Sequence, residues 1–144
     1  LFSKVETKNV RYILEDNFLS FWFRFLYKYS YMIEIGAYGQ LKEIVKRDYP
    51  TFSGKMLERY FRTRFIESNR YTRLGGYWDR KGENEIDLIT GDELNKTADI
   101  IEIKRNKQNM QINKLIEKFN YFTHATGELT DYQINFRGLS LDEM

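Results

Sequence analysis

Ile100-Ile101-Glu102-Ile103-Lys104-Arg105 sets three isoleucines in one short run and inserts a carboxylate and an amine two residues apart. Side chains two apart on a strand share a face, so Ile101 and Ile103 point one way and Glu102 and Lys104 the other. The isoleucines argue for burial, and a buried unpaired charge costs several kcal/mol or more. A partner charge or a bound cation must offset that cost. The next strand upstream, Glu85-Ile86-Asp87-Leu88-Ile89, repeats the pattern: Ile86 and Leu88 on one face, Glu85 and Asp87 on the other. Set side by side, the two strands would bring four charged groups to one patch.

The surrounding sequence gives these strands a setting. Gly75-Gly76-Tyr77-Trp78, then a turn over residues 79–84, then the Glu85 strand read as a hairpin. Residues 98–104 form a third strand. Residues 108–122 return to helical spacing, with Ile112, Leu115, Ile116 and Phe119 on one face. Tyr132 to Phe136 alternates as a last strand. Before the hairpin, Phe52, Met56, Leu57, Tyr60, Phe61 and Phe65 make the apolar face of a helix starting at Thr51 or Ser53, with Ser53 as its cap. The order from Thr51 onward is α-β-β-β-α-β, an α/β fold.

Residues 1–50 read as a helical extension. Phe18, Phe21, Trp22, Phe25, Leu26 and Tyr29 recur at the spacing of one helix face, and Asp16 or Asn17 can cap its start. Gly36 and Gly39 interrupt it. A short helix over residues 40–47 follows, with Leu41, Ile44 and Val45 inward, and Pro50 restarts the chain.

Composition bounds the function. The 144 residues are 42% hydrophobic and 31% charged with a single proline, which argues against disorder and for one sizeable core. Eleven Tyr, eleven Phe and two Trp make that core bulky. The absence of Cys excludes disulfides and Cys-ligated zinc and suits a reducing, cytoplasmic compartment. A net charge of only +2 announces no bulk attraction to nucleic acid, though a local basic face remains open. The start, LFSKVETKNV, has no apolar leader core and no initiator Met, which suggests a piece of a longer protein. The run from Phe18 to Tyr31 is too short for a bilayer and is interrupted by Arg24 and Lys28, so no membrane partner is expected.

The chemistry that fits the charged patch is carboxylate-bound Mg²⁺ or Mn²⁺. Mg²⁺ takes oxygen ligands at about 2.0–2.1 Å, typically one or two protein carboxylates with several waters. Asp87 and Glu102 are the candidate ligands, with the Ile103 carbonyl as a further oxygen. Lys104 could orient an attacking water or offset charge on a phosphate in its transition state. Glu58, at the edge of the preceding helix's apolar face, is an assisting acid, and Glu85 a possible added ligand. The plainer reading stays beside this one: Glu102 and Lys104 pair across an exposed sheet face, and such pairs contribute only about 0–1 kcal/mol. What favours the site is the order, an acid on a helix, Asp on a hairpin strand, then E-x-K on the next strand.

That order resembles the PD-(D/E)XK nuclease superfamily, carried by Glu58 in KMLERYF, Asp87 in NEIDLI, and Glu102 and Lys104 in IIEIK. The resemblance spans residues 51–144 and implies a restriction-endonuclease-like αβββαβ core that hydrolyses phosphodiester bonds with Mg²⁺ or Mn²⁺. Ile86 stands where the motif's proline would be. EDNFLSFWFRFLY, GGYWDRKGENEIDLI and FRGLSLDEM further resemble the C-terminal part of archaeal-type AAA+ ATPases, also found in bacteria. This implies an upstream ATPase and winged-helix region as partner; the leading hypothesis for the substrate is nucleic acid, DNA ahead of RNA. No G-x-x-x-x-G-K-[ST] occurs, so ATP hydrolysis is not expected of these residues. The competing expectation is a nuclease fold that has lost catalysis and serves the ATPase as a binding or scaffolding domain.

Weaker candidates complete the picture. Arg105 and Lys107 could contact phosphates beside the patch, which positions a nucleic acid without reading its sequence. Arg59, Arg62, Arg64, Arg70 and Arg73 read either as a basic flank or as an ordinary polar helix face. Gln108 and Gln111 follow the strand into the helix, and His124 has no evident partner.

Overall fold

The computed structural model describes residue 2, residues 14–79 and residues 81–144. The rest of the LFSKVETKNV start, and Arg80 of the hairpin turn, lie outside the described residues. The described residues up to Met56 belong to one compact unit, and those from Leu57 on, with Phe2, to another. Among the described residues no helix is long and apolar enough to cross a membrane.

In the first unit Asp16 caps α1 (Asn17–Phe21), its Oδ1 accepting from the Leu19 N–H at 2.7 Å. The expected single helix does not continue. A π-helical turn (Trp22–Leu26) and a 3₁₀ turn (Tyr27–Tyr29) intervene before α2 (Ser30–Glu34). Changing the residues per turn rotates the aromatic stripe off one face. Phe25 is therefore fully buried, while Phe18 is 67% exposed. Phe25 packs edge-on against Phe52 at 5.4 Å between ring centroids. Gly36, at φ 72°, ends α2 in the left-handed region that glycine adopts freely.

The two helices expected around Pro50 are one, α3 (Tyr38–Glu67). Proline in a helix interior costs about 3 kcal/mol. Phe52, Leu57 and Phe61 are all buried in the turns that follow it, and each such burial is worth about 1.5–3 kcal/mol. Packing thus outweighs the break. Ser53 is no N-cap: its hydroxyl donates back to the Tyr49 carbonyl at 2.8 Å.

The second unit is a three-layer α/β domain. Its mixed sheet has the order β1 (Arg73–Trp78), β2 (Glu85–Asp92), β3 (Thr97–Ile103), β4 (Gln133–Leu139). The first three strands are antiparallel neighbours, and β4 joins β3 in parallel after the crossover helix α4 (Ile112–Thr126). Leu57 and Phe61 of α3 pack on one face with Leu88, Ile101, Ile103 and Leu139. On the other face, Leu115, Phe119 and Phe122 of α4 pack with Ile86, Ile89, Ala98 and Ile100. This αβββαβ arrangement, preceded by a helical extension, is a restriction-endonuclease-like architecture.

One expected regularity fails, and it fails beside the charged patch. Gly75 pairs with Ile89 and Tyr77 with Ile86, so Gly76 alone faces both Asp87 and Leu88. The extra residue on β2 is a β-bulge, which bends the strand and re-aims its side chains. Ile86 and Leu88 consequently face opposite sides of the sheet, not the same side. Gly76 permits this: a Cβ there would stand 3.1 Å from the Asp87 carbonyl and 3.2 Å from that of Ile86.

Candidate functional site

The β2–β3 ladder runs to the pair Leu88↔Ile101, and the residues beyond it open the hairpin at Asp87 and Glu102. Here the bulge brings the Asp87 carboxylate in as a substitute ladder acceptor: its Oδ2 takes the Ile103 N–H at 2.7 Å. On the other edge of β3 the Lys104 N–H donates to the Leu139 carbonyl at 3.0 Å, fixing the main chain around the lysine. Glu102 is only 8% exposed, and its Oε2 accepts the Gln111 N–H at 2.7 Å, just before α4. Each acid is thus anchored by a main-chain donor, a strong arrangement for a carboxylate.

Between the two acids stands the lysine. Lys104 Nζ lies 3.6 Å from Asp87 Oδ2 and 3.6 Å from Glu102 Oε1. Two negative charges and one positive leave the cluster formally one charge negative at neutral pH. Asp87, Glu102 and Lys104 are therefore brought together, as their order in the sequence suggested.

The other candidates sit at other positions of the fold. Among the described residues no third Asp, Glu or His joins Asp87 and Glu102 in a group able to hold a metal ion. Glu58 is half-buried on α3 beside Leu57, and Glu85 is exposed, paired with Trp78 at the outer end of β2. Lys107 lies in a 3₁₀ turn (Lys107–Asn109) and pairs with Glu143 at 3.6 Å. Arg105 follows Lys104 in the loop after β3, half-buried. The arginines divide: Arg73 donates to Glu128 at 2.8 Å and stacks over the Phe2 ring, which gives it a packing role.

As a test of fit, the donor set is two carboxylates held near one amine. Hard divalent cations such as Mg²⁺ use one or two protein carboxylates and complete their shell with water, so Asp87 and Glu102 are sufficient in kind and minimal in number.

Two features escaped the sequence reading. The main-chain donors of Ile103 and Gln111 carry no residue signature. Nor does a second cluster on β3, where Asp99 accepts from Tyr71 Oη at 3.2 Å, Asn135 Nδ2 at 3.0 Å and Arg137 Nη1 at 3.2 Å. Its members meet only through the parallel register of β3 and β4, in which Asp99 pairs with Asn135. Burial, then the Asp99 carboxylate, raises the Tyr71 phenol above its ordinary pKa.

A family model for DUF234, described as archaea bacterial proteins of unknown function, matches residues 22–116. The chain belongs to this family. The DUF234 match takes in Glu58, Asp87, Glu102 and Lys104 and ends within α4. An uncharacterized protein of Methanocaldococcus jannaschii, MJECL04, is 35% identical over 106 residues, covering 69% of this chain and 24% of that protein. This DUF234 chain therefore spans about a quarter of the length of its curated relative. No solved structure matches.

Proposed function

We propose that this chain is a nucleic-acid-binding module on a nuclease-like fold, the C-terminal part of a larger ATPase, with Asp87, Glu102 and Lys104 as its charged centre. The supporting observation is a two-carboxylate centre already closed by its own ammonium, on a restriction-endonuclease-like core, with no third Asp, Glu or His grouped with it among the described residues. In this reading the cations that flank the centre meet the phosphate backbone, and binding is sensitive to salt.

A second reading is favoured by the convergence of Asp87, Glu102 and Lys104 in the order of the PD-(D/E)XK motif. It is a phosphodiesterase acting on DNA. Asp87 and Glu102 would hold Mg²⁺ or Mn²⁺, which when bound supplies Lewis-acid stabilisation of charge on the phosphate. Lys104 would position water beside the phosphate, and Glu58 would assist from α3.

The deciding experiment incubates the full-length protein with plasmid and single-stranded DNA in Mg²⁺ and in Mn²⁺. The expected outcome is salt-sensitive retention of DNA without nicking. Nicking by wild type and not by Glu102→Ala would replace the binding reading with the phosphodiesterase. Failure both to retain and to nick either DNA would overturn both.

A further inference from the structure

Between the C-terminal end of α3 and β4 lies a cleft of about 280 Å³. Arg64 and Arg70 approach it from the end of α3 and the loop after it, and Arg137 from β4. Phe61, Tyr71 and Leu139 supply apolar wall. Glu143 is the acid among the lining residues. Its carboxylate is already taken, accepting from the Ser140 N–H at 2.6 Å and the Ser140 hydroxyl at 2.7 Å and facing Lys107.

The donors of the arginines are incompletely used. Arg137 meets Asp99, but that interaction uses one of the five N–H donors of a guanidinium. The Arg64 Nη1 goes to neutral acceptors, the Tyr60 hydroxyl and the Glu143 main-chain carbonyl, both at 3.3 Å. Among the described residues no carboxylate pairs with Arg70. Three guanidinium groups around a small concavity, two of them without an acid partner, match the planar, bidentate chemistry by which arginine holds phosphate.

We infer that this cleft is a phosphate-binding site, taking either a backbone phosphate of a nucleic-acid strand or the phosphate of a free nucleotide. The strand source rests on the binding function proposed above. It gains support from continuity, because Leu139 lines the cleft and its carbonyl accepts the Lys104 N–H. A strand passing the Asp87–Glu102–Lys104 centre would then be held a second time at the arginines.

The test uses the full-length protein in chelator, so that no cation at the acidic centre contributes. Two probes are titrated: a fluorescent single-stranded oligonucleotide and adenosine monophosphate. The variants are Arg70→Ala, which removes an exposed side chain, and the double Arg64→Ala/Arg70→Ala, with circular dichroism to verify folding. For a strand ligand the expected result is at least tenfold weaker oligonucleotide binding in the double variant. The slope of log K against log salt should also fall by roughly 0.7 for each phosphate that is no longer neutralised. For a nucleotide ligand, monophosphate binding is lost in the double variant while oligonucleotide binding is absent or unchanged, which still assigns the cleft to phosphate. Oligonucleotide binding that is equal in wild type and double variant, with no monophosphate bound, overturns the cleft site and leaves the proposed binding function standing. No binding of either probe overturns both.

Discussion

Strand β3 carries two acids three residues apart, each in a cluster of opposite charge, and the clusters differ in kind. Asp99 accepts from a phenol, an amide and a guanidinium, three side-chain donors that surround it with one positive charge against its one negative. Glu102 shares its amine with a second acid, Asp87, and each of these acids is tied down by a main-chain N–H. Burial does not separate them, since the Asp99 side chain is 18% exposed and that of Glu102 10%. Charge balance does. The Asp99 cluster is neutral, as a structural ion pair should be. The Glu102 cluster retains a net negative charge and a cation held by a flexible side chain, which is what a divalent ion could replace.

Removing the amine breaks the contrast most strongly. Lys104→Met leaves Asp87 and Glu102 facing each other without a counter-charge. Losing one partner of a buried pair costs about 3–5 kcal/mol. The Lys104 side chain is 39% exposed, so a discounted cost of about 1–2 kcal/mol is expected. A thermal melt in chelator should show a fall of several degrees, and Mn²⁺ should restore it, with calorimetry giving Mn²⁺ affinity about tenfold above wild type. Asp99→Asn is the control: a similar fall in melting temperature with no recovery in Mn²⁺. Recovery of both variants, or of neither, would erase the distinction between the clusters.

A smaller effect comes from the backbone that aims Asp87. Gly76→Ala places a Cβ at 3.1–3.2 Å from two carbonyl oxygens of the bulged strand, tight enough to push it by a few tenths of an ångström. Overpacking of this sort costs about 1–3 kcal/mol. Oxygen ligation tolerates little displacement, so the expected signature is a loss of Mn²⁺ affinity larger than the stability loss alone would give. Asp99 lies across the ladder from Thr90, away from the bulge, and its cluster should be untouched. A Gly76→Ala protein that melts lower yet binds Mn²⁺ as before would show that the bulge does not set the site.

Much of this architecture is written locally. Alternation in residues 100–104 separates Ile101 and Ile103 from Glu102, and the structure keeps that separation. Asp16 and Gly36 act as the start and stop signals they resemble, and the α-β-β-β-α-β order follows from changes of period. What alternation misreads is β2, because a bulge inserts its extra residue where Gly76 admits one, and only the pairing partner reveals the count. Pro50 misleads for the converse reason: its local penalty is real, but the burial of Phe52, Leu57 and Phe61 is a tertiary gain that no window of sequence contains. Asp87, Glu102 and Lys104 were legible because the motif orders them along the chain. Asp99, Tyr71, Asn135 and Arg137 were not, since only the parallel return of β4 gathers them.

The smallest effect concerns Tyr71 and tests the Asp99 side of the contrast alone. Burial and then the Asp99 charge raise the phenol above its ordinary value of 10.0. Above about pH 10 the unfolded chain therefore releases a phenolic proton that the folded protein retains. The folded state binds more protons in that window, so stability must fall as pH rises through it and must be unaffected below it. Tyr71→Phe has no proton to lose, and between about pH 9 and about pH 11 its melting temperature should fall less than that of wild type. Asp99→Asn removes the second cause but not the first, and should give an intermediate slope. Because Tyr71 is only partly buried, solvent screens the difference and a shift of about a degree or two is expected. Parallel slopes for all three proteins would mean that Asp99 is not coupled to the phenol, and that its cluster is held together by Arg137 and Asn135 alone.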